Sequence, residues 1–392
     1  MKNAKNLKTR LNLKEEPVFL VDGSSFLYRA FYAYPDLKRS DGFPTNAIYI
    51  VLRILFKIIR EERPGFLGFF LDGKGPTFRH EIFESYKANR LKMPENLALQ
   101  IEPLLQGVKA LGLKAKVTDG VEADDCIASL TQRFKQKCPV IIVGSDKDLW
   151  QLLDENVFVW DPGQKKEKLV TLETFKTEQG IEPDQWADFQ ALVGDKVDNI
   201  PGVPGVGPKT ALALLKELHS LEGLRAGLDQ LKPKMVEKLR PHLDDILTYR
   251  ELTRLKRDCC EEIGLDDLRC QTLDYDGLIS FLKEYEFKSL LKEVGANNHL
   301  PLLSRMQRGE EAKGKRQKAK GRDFGGVIIK PQPLDPSLSL LKFDNQQAGL
   351  FFEQNKWFLA ADSSEWEFSE SAGPLNQLIA SLRGAQIFVP SL

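Results

Sequence analysis

The stretch Pro17–Gly23, PVFLVDG, is a short apolar run that stops on an aspartate. The same grammar recurs in Gly68–Gly73, GFFLDG, and in Val140–Asp148, VIIVGSDKD. Uninterrupted apolar runs of this length, bounded by turn residues, predict strands buried on both faces, as in a parallel sheet. On this pattern Pro17–Val21, Phe66–Leu71, Leu113–Val117 and Val140–Val143 are strands, with Val157–Trp160 as a further candidate. Between them, helical periodicity predicts Ala47–Glu62, Glu95–Leu111 and Ala123–Lys135. Strands alternating with helices imply an α/β domain over residues 17–190, a mostly parallel sheet with helices on both faces. From about Asp184 to Val294 the strand signal fades, which predicts a helical subdomain over 191–300, interrupted by the Gly/Pro-rich knot Pro201–Pro208.

Composition sets the outer bounds. The 392 residues are 42% hydrophobic and 29% charged, an ordinary globular mixture with no run near the roughly 18 apolar residues of a membrane span. The 56 Lys+Arg and 56 Asp+Glu cancel, but unevenly: residues 1–300 balance at −2, 301–322 at +6 and 323–392 at −4. Neutrality of that kind does not exclude a nucleic-acid partner. The segment 301–322 is expected to be a flexible basic linker and residues 1–16 a disordered basic N-terminus. Cys126, Cys138, Cys259, Cys260 and Cys270 lack metal-ligand spacing and read as reduced thiols of a cytoplasmic protein.

The acids carry the chemistry. Asp22, Asp72 and the pair Asp146 and Asp148 follow predicted strands, so they converge on the edge where open parallel sheets bind ligands. The segment VEADD adds Glu122, Asp124 and Asp125 at a helix start, and GDKVDN adds Asp195 and Asp198, three residues apart. A single strand-end acid is as often a cap as a ligand, but several segments aimed at one edge are harder to explain by capping. Nine like charges packed together cost on the order of 1–4 kcal/mol per contacting pair unless they bind cations or protons. An all-oxygen set without His or Cys selects Mg²⁺ or Mn²⁺, and two such ions form the usual clamp for attack of water on a phosphodiester.

Two stretches supply the opposite charge. In residues 74–94, KGPTFRHEIFESYKANRLKMP, the cations Lys74, Arg79, Lys87, Arg90 and Lys92 interleave with Phe78, Phe83 and Tyr86, a pattern suited to tracking phosphates and stacking on a base. Arg29, seven residues past Asp22, is a further phosphate contact candidate. In IPGVPGVGPKTA, residues 200–211, Gly202, Gly205 and Gly207 precede a helix starting near Lys209, whose free amides can hold a backbone phosphate.

Five blocks, FLVDGSSFLYRAFYA, FLDGKGPTFRHEIFESYKANR, DGVEADDCIASL, GSDKDLWQLL and GDKVDNIPGVPGVGPKTA, resemble the signature blocks of the 5′–3′ exonuclease domain of bacterial DNA polymerase I, a flap endonuclease relative, over about residues 15–300. The resemblance implies a PIN-like nuclease domain with a helix–hairpin–helix module and a helical arch over the site. It implies a structure-specific 5′ nuclease that cuts DNA flaps, 5′ ends and RNA–DNA junctions as a monomer in the bacterial cytoplasm, at the nucleoid. The nine acids become ligands of two Mg²⁺ (or Mn²⁺): Asp22, Asp72, Glu122 and Asp124 mainly for one ion, Asp146, Asp148 and Asp195 for the other. Asp72 and Asp146 count as catalytic, with Lys87 and Arg90 supporting the scissile phosphate. Arg29, Tyr86, Lys87 and Arg90 contact the cleaved strand, and the hairpin holds the duplex with a bound K⁺. Ser145 stands where the family usually has Gly. Residues 323–392 resemble the opening of a 3′–5′ exonuclease-like domain, partial and inactive because Asp344-Asn345-Gln346 and Glu353 give no D-x-E motif. The alternatives are the N-terminal portion of a full DNA polymerase I and a non-catalytic DNA-binding module.

Overall fold

The computed structural model describes residues 6–33, 37–163 and 167–296, together with four strands between 340 and 368. The chain divides into two compact units, 1–314 and 315–392.

The first unit is built on six strands: β1 Val18–Asp22, β2 Phe66–Asp72, β3 Lys114–Thr118, β4 Val140–Val143, β5 Val157–Asp161 and β6 Lys168–Val170. Their spatial order is β3-β2-β1-β4-β5-β6. The first five run parallel, and β6 closes the edge antiparallel to β5. The five predicted strands are all present. The sixth is too short and too exposed on one side to leave an apolar run in the sequence. Because the chain winds outward from β1 through β2 to β3 and then returns to β4 on the other side of β1, the winding reverses between β1 and β4. A sheet of this kind opens a crevice at that reversal, beyond the carboxyl ends of the strands.

Each sheet face covers its own core. Val18, Leu20, Val140 and Ile142 face the helix Ala123–Phe134 and, beyond it, the helices Trp186–Val193 and Pro208–Leu218. Phe19, Val21, Ile141 and Val143 face the opposite way, against the helices Asn46–Glu62 and Ile101–Ala110. The helices Tyr275–Glu284 and Lys288–Ala296 join this second core through Leu278, Phe281, Leu282, Leu290 and Val294. The helical region 191–300 is therefore not one separate body: its last two helices pack with the α/β layer.

Two local departures have clear causes. The helix expected over Glu95–Leu111 is two, Glu95–Ala98 and Ile101–Ala110. At the break, the buried Gln100 turns its amide outward: Oε1 accepts from the Ala47 and Ile48 amides at 2.9 and 3.3 Å, capping the neighbouring helix, and Nε2 donates to Asn46 Oδ1 at 2.9 Å. The N-terminus expected to be disordered instead forms a turn of helix, Leu7–Arg10, from residue 6 onward. Leu7 is fully buried and its amide donates to Glu62 Oε2 at 2.7 Å, so burial of one leucine anchors a charged segment.

In the second unit, β7 Leu340–Phe343, β8 Gln346–Glu353, β9 Lys356–Ala361 and β10 Ser364–Phe368 form an antiparallel sheet in the order β10-β9-β8-β7. The apolar runs Leu350–Phe352 and Trp357–Ala360, which in the sequence look like a hairpin, pair with Leu350 opposite Leu359. The linker 301–322 lies outside the described residues, as do Leu375–Leu382, whose sequence pattern predicts a helix, and Ile387–Val389, an apolar run that predicts a final strand. No described helix is long and apolar enough to cross a membrane.

Candidate active site

At the reversal point lies a cleft of about 450 Å³. Seven of the nine singled-out acids line it: Asp22, Asp72, Glu122, Asp124, Asp146, Asp148 and Asp198, and Lys87 and Arg90 belong to the same lining. Their placement follows from the strands. Asp22 is the last residue of β1 and Asp72 the last of β2, two residues beyond Phe70, which stands opposite Asp22 in the sheet. The Asp22 carboxylate accepts the Ser25 amide at 3.0 Å, and Asp72 Oδ1 accepts the Ala123 amide at 2.9 Å, so Asp72 also caps the helix that carries Glu122 and Asp124. Past the end of β4, Asp146 Oδ1 accepts the Asp148 amide at 2.9 Å. Asp148 in turn receives the side-chain amide of Gln190.

Burial, helped by crowding, raises the proton affinity of four of these acids. Burial pushes the Asp22 carboxyl up to about 7, with Asp72 and Asp146 adding repulsion and the Ser25 amide opposing it. Burial also pushes Asp148 up to about 8, followed by the charge of Asp146. Asp124 is raised by burial and by Asp125 and Glu122. Asp146 is raised by burial, with Asp198 and Asp195 contributing. The sign of the resulting pH dependence follows directly. From an ordinary 3.8, these groups hold protons in the folded chain that the unfolded chain has given up, so stability is greatest in acid and is lost as pH rises through the folded values near 7 and 8. In chelator, the melting temperature is expected to fall by on the order of 10 °C between pH 6 and pH 9, and saturating Mg²⁺ to remove most of that slope. Thermal melts at both pH values, with and without Mg²⁺, measure it; a flat profile in chelator contradicts it.

The cations meet the acids across the cleft. Lys87 Nζ lies 2.7 Å from Glu122 Oε1 and 3.9 Å from Asp198, and Arg90 pairs with Asp198. The segment carrying them is stitched to the 195–200 turn. The Lys87 amide donates to the Asp198 carbonyl at 3.0 Å, Asn89 Nδ2 to the Lys196 carbonyl at 2.6 Å, and Asn199 Nδ2 to the Ser85 carbonyl at 2.7 Å. Lys87 itself sits at φ +55°, a left-handed conformation that these bonds hold in place.

Four of the singled-out residues lie off the lining of the cleft. Arg79, expected on DNA, is 1% exposed and bound by Asp125, Glu122 and two main-chain carbonyls. Tyr86, expected to touch the cleaved strand, is 3% exposed, its hydroxyl directed at Asp198 Oδ2 (3.0 Å) and Glu122 Oε2 (3.3 Å). Interleaved spacing could not show that both point inward, because the chain folds back over them. Asp125 does not line the cleft; Arg79 holds it with two bonds. Asp195 is also off the lining, accepting the Val197 amide at 2.7 Å, and reaches the site through its charge. Arg29 forms a paired contact with Asp161 at 2.7 and 3.1 Å while staying partly exposed.

The glycine knot divides in the same way. Gly205 and Gly207 are exposed, and Gly207 caps a helix beginning at Pro208, one residue before the expected Lys209. Gly202 is buried at φ +67°, where an added Cβ would stand 2.4 Å from the Gly194 nitrogen, so it serves packing and not a phosphate. Gly202→Ala is expected to cost about 2 kcal/mol or more of stability, read as a drop in denaturant midpoint.

Unforeseen at the site are Ser24 and Ser25, whose hydroxyl and amide hold Asp72 and Asp22, and Tyr28 on the cleft wall. Their signal was present: small residues at a helix start right after a strand-end acid, with an aromatic one turn later. Gln190, which holds Asp148, has no local signal. Ser145 is exposed, its hydroxyl 3.1 Å from the Ser25 hydroxyl.

Comparison with known proteins agrees with this geometry. Residues 17–180 match the family model described as the 5′–3′ exonuclease N-terminal resolvase-like domain, and 181–276 the one described as the 5′–3′ exonuclease C-terminal SAM fold. The chain is 42% identical over 278 residues to a 5′–3′ exonuclease of Aquifex aeolicus, covering 71% of this chain and 94% of that protein. It is 40% identical over 328 residues to the thermostable DNA polymerase I of Thermus thermophilus, spanning 83% of this chain but 38% of the polymerase. Among solved structures, T5 5′-exonuclease with bound zinc ions superposes with a TM-score of 0.52 at 21% identity, covering 69% of this chain and 99% of that one. The catalytic core of Rad2 with DNA substrate gives 0.51 at 17% identity, covering 74% and 95%. At these identities the structural likeness speaks to the fold.

Proposed function

The chain belongs to the 5′–3′ exonuclease family and is a nuclease, and from that premise we propose that it hydrolyses phosphodiesters at DNA 5′ flaps and 5′ ends, RNA-primed ends included. One observation carries the reading: seven carboxylates line a single cleft at the sheet's reversal point, opposite Lys87 and Arg90.

The cleft fits divalent cations. Its donors are all carboxylate oxygens, the choice of hard ions, and acceptor atoms of Glu122 and Asp124 lie within 4.8 Å of each other. The raised proton affinities of Asp22, Asp124, Asp146 and Asp148 are what uncompensated ligands show. Asp22, Asp72, Glu122 and Asp124 would hold one ion, and Asp146 and Asp148 a second. Bound Mg²⁺ or Mn²⁺ would activate water and neutralise charge on the reacting phosphate.

The protein's own groups do the remainder. Ser25 and Gln190 orient Asp22 and Asp148, and Ser24 fixes the main chain at Asp72. Lys87 and Arg90, paired with Glu122 and Asp198 in the ligand-free chain, turn to the scissile phosphate and stabilise the charge that develops there. The exposed turn at Gly205 and Gly207 and the start of the helix Pro208–Leu218, with Lys209, grip the duplex backbone without reading bases, and a K⁺ at that turn belongs to the same reading. We take the working form to be a monomer.

A panel of labelled DNAs tests the substrate class. With Mg²⁺, a 5′ flap and a recessed 5′ end are expected to be cut, and a covalently closed circular duplex, which has no 5′ end, at least tenfold more slowly; equal rates on all three contradict selectivity for 5′ termini. A second reading, that this nuclease works as the leading part of a longer DNA polymerase I, is favoured by the 328-residue match to the Thermus polymerase. A non-catalytic DNA-binding module would leave the acids of the cleft without a task.

A further inference from the structure

Arg79 uses its guanidinium completely. Nε donates to the Leu252 carbonyl at 2.8 Å, Nη1 to Asp125 Oδ2 at 2.6 Å and Glu122 Oε2 at 3.3 Å, and Nη2 to Asp125 Oδ1 at 2.7 Å and the Arg254 carbonyl at 3.1 Å. Those are the five N–H bonds an arginine possesses. Asp125 is equally occupied: besides the two bonds from Arg79, its Oδ1 accepts the Lys256 amide at 2.8 Å, and the residue is 2% exposed. Glu122 differs. Its Oε2 meets Arg79, but the side chain lines the cleft beside Asp124, whereas Asp125 does not.

We propose that Arg79 and Asp125 are positioning residues for the divalent-cation site, Asp125 serving as the counter-ion of Arg79 and not as a ligand, and Arg79 fixing Glu122 to face the cleft. The inference rests on the reading of the cleft as a cation site. Three carboxylates at one helix start, the N-cap Glu122 with Asp124 and Asp125 of the first turn, would otherwise repel one another and splay. A buried guanidinium shared between Asp125 and Glu122 removes one of the three charges from the site and sets the direction of a second. It also ties three separate segments to one point: the helix Phe78–Ile82 that leads to Lys87, the helix start at Ala123, and the end of the helix Leu243–Thr253. A lysine could neither span the two Asp125 oxygens nor reach both carbonyls. Groups that orient the ligands of a metal affect affinity by about 10–100-fold when removed.

The test is calorimetric titration of Mn²⁺ into the metal-free chain, with circular dichroism melts to establish folding. Asp125→Asn, the isosteric change, is expected to bind as many Mn²⁺ as wild type with affinity lowered about tenfold. Arg79→Lys is expected to weaken Mn²⁺ binding similarly, and in chelator to bind a 5′-flap duplex within about twofold of wild type. Glu122→Gln, a direct ligand on this account, should lose an ion. If Asp125→Asn loses an ion, Asp125 is a ligand and the proposal fails. It also fails if folded Arg79→Lys binds Mn²⁺ like wild type, which would make the pair a fold-only contact, or if that variant loses DNA affinity in chelator, which would return Arg79 to the DNA surface. A wild-type chain that takes up no Mn²⁺ overturns the cation reading itself, separately from any variant.

Discussion

Asp146→Asn is expected to lower single-turnover cleavage of a 5′ flap in Mg²⁺ by about a thousandfold or more, and at the same time to raise the melting temperature in chelator. The opposite signs come from one cause. Asp146 is the largest source of charge repulsion on Asp148, whose carboxyl burial and that repulsion push to about 8. Asn keeps the acceptor that receives the Asp148 amide but removes the charge. Relief of one like-charge contact is worth on the order of 1–4 kcal/mol, which for a unit of this size shifts the melt upward by roughly 3–10 °C. The same charge is what a cation would need, so the more stable chain is the less active one. A variant that lost activity and stability together would mark Asp146 as a folding residue instead.

The second large effect is at Lys87. Burial pulls its ammonium down, but Glu122 and Asp198 outweigh that and hold it above its ordinary range, so it stays charged throughout the working pH range. Lys87→Ala is expected to reduce kcat by about 10²–10³-fold with a much smaller change in KM, the pattern of a contact made mainly in the transition state. Because Lys87 occupies Glu122 Oε1 in the ligand-free chain, its removal frees a ligand, and Mn²⁺ affinity is expected to stay equal or rise. That separates loss of phosphate stabilisation from damage to the cation site. Comparable losses in kcat and in Mn²⁺ affinity would show that Lys87 supports the site's structure.

The strand-end acids were legible in the sequence because everything that places them is local: an apolar run, a carboxylate, a turn. Once five such runs alternate with helices, the reversal between β1 and β4 brings Asp22, Asp72 and Asp146 to one edge with no further information. What the sequence concealed depends on distant chain. Arg79 and Tyr86 lie in a stretch with surface-like charge and aromatic spacing, and only the return of residues 195–200 and 252–256 over it turns them inward. Gln100 breaks a regular helical pattern because its amide is needed by the helix Asn46–Glu62, more than fifty residues earlier in sequence. Gly202 and Gly205 share a motif and a positive φ, yet backbone packing against Gly194 buries the first and leaves the second exposed. Spacing identified which residues were special. Which side of the wall each one served required the fold.

The central claim is that the carboxylate cleft hydrolyses DNA with divalent cations. It is tested most directly by incubating wild type and Asp146→Asn, each folded and each binding DNA in chelator, with a 5′-labelled flap duplex in Mg²⁺. The account predicts release of a labelled 5′ fragment by wild type in Mg²⁺, none in chelator, and none on the same timescale by Asp146→Asn. Cleavage that persists in chelator or in the variant, or a folded wild type that binds the flap and leaves it intact in Mg²⁺, would contradict it.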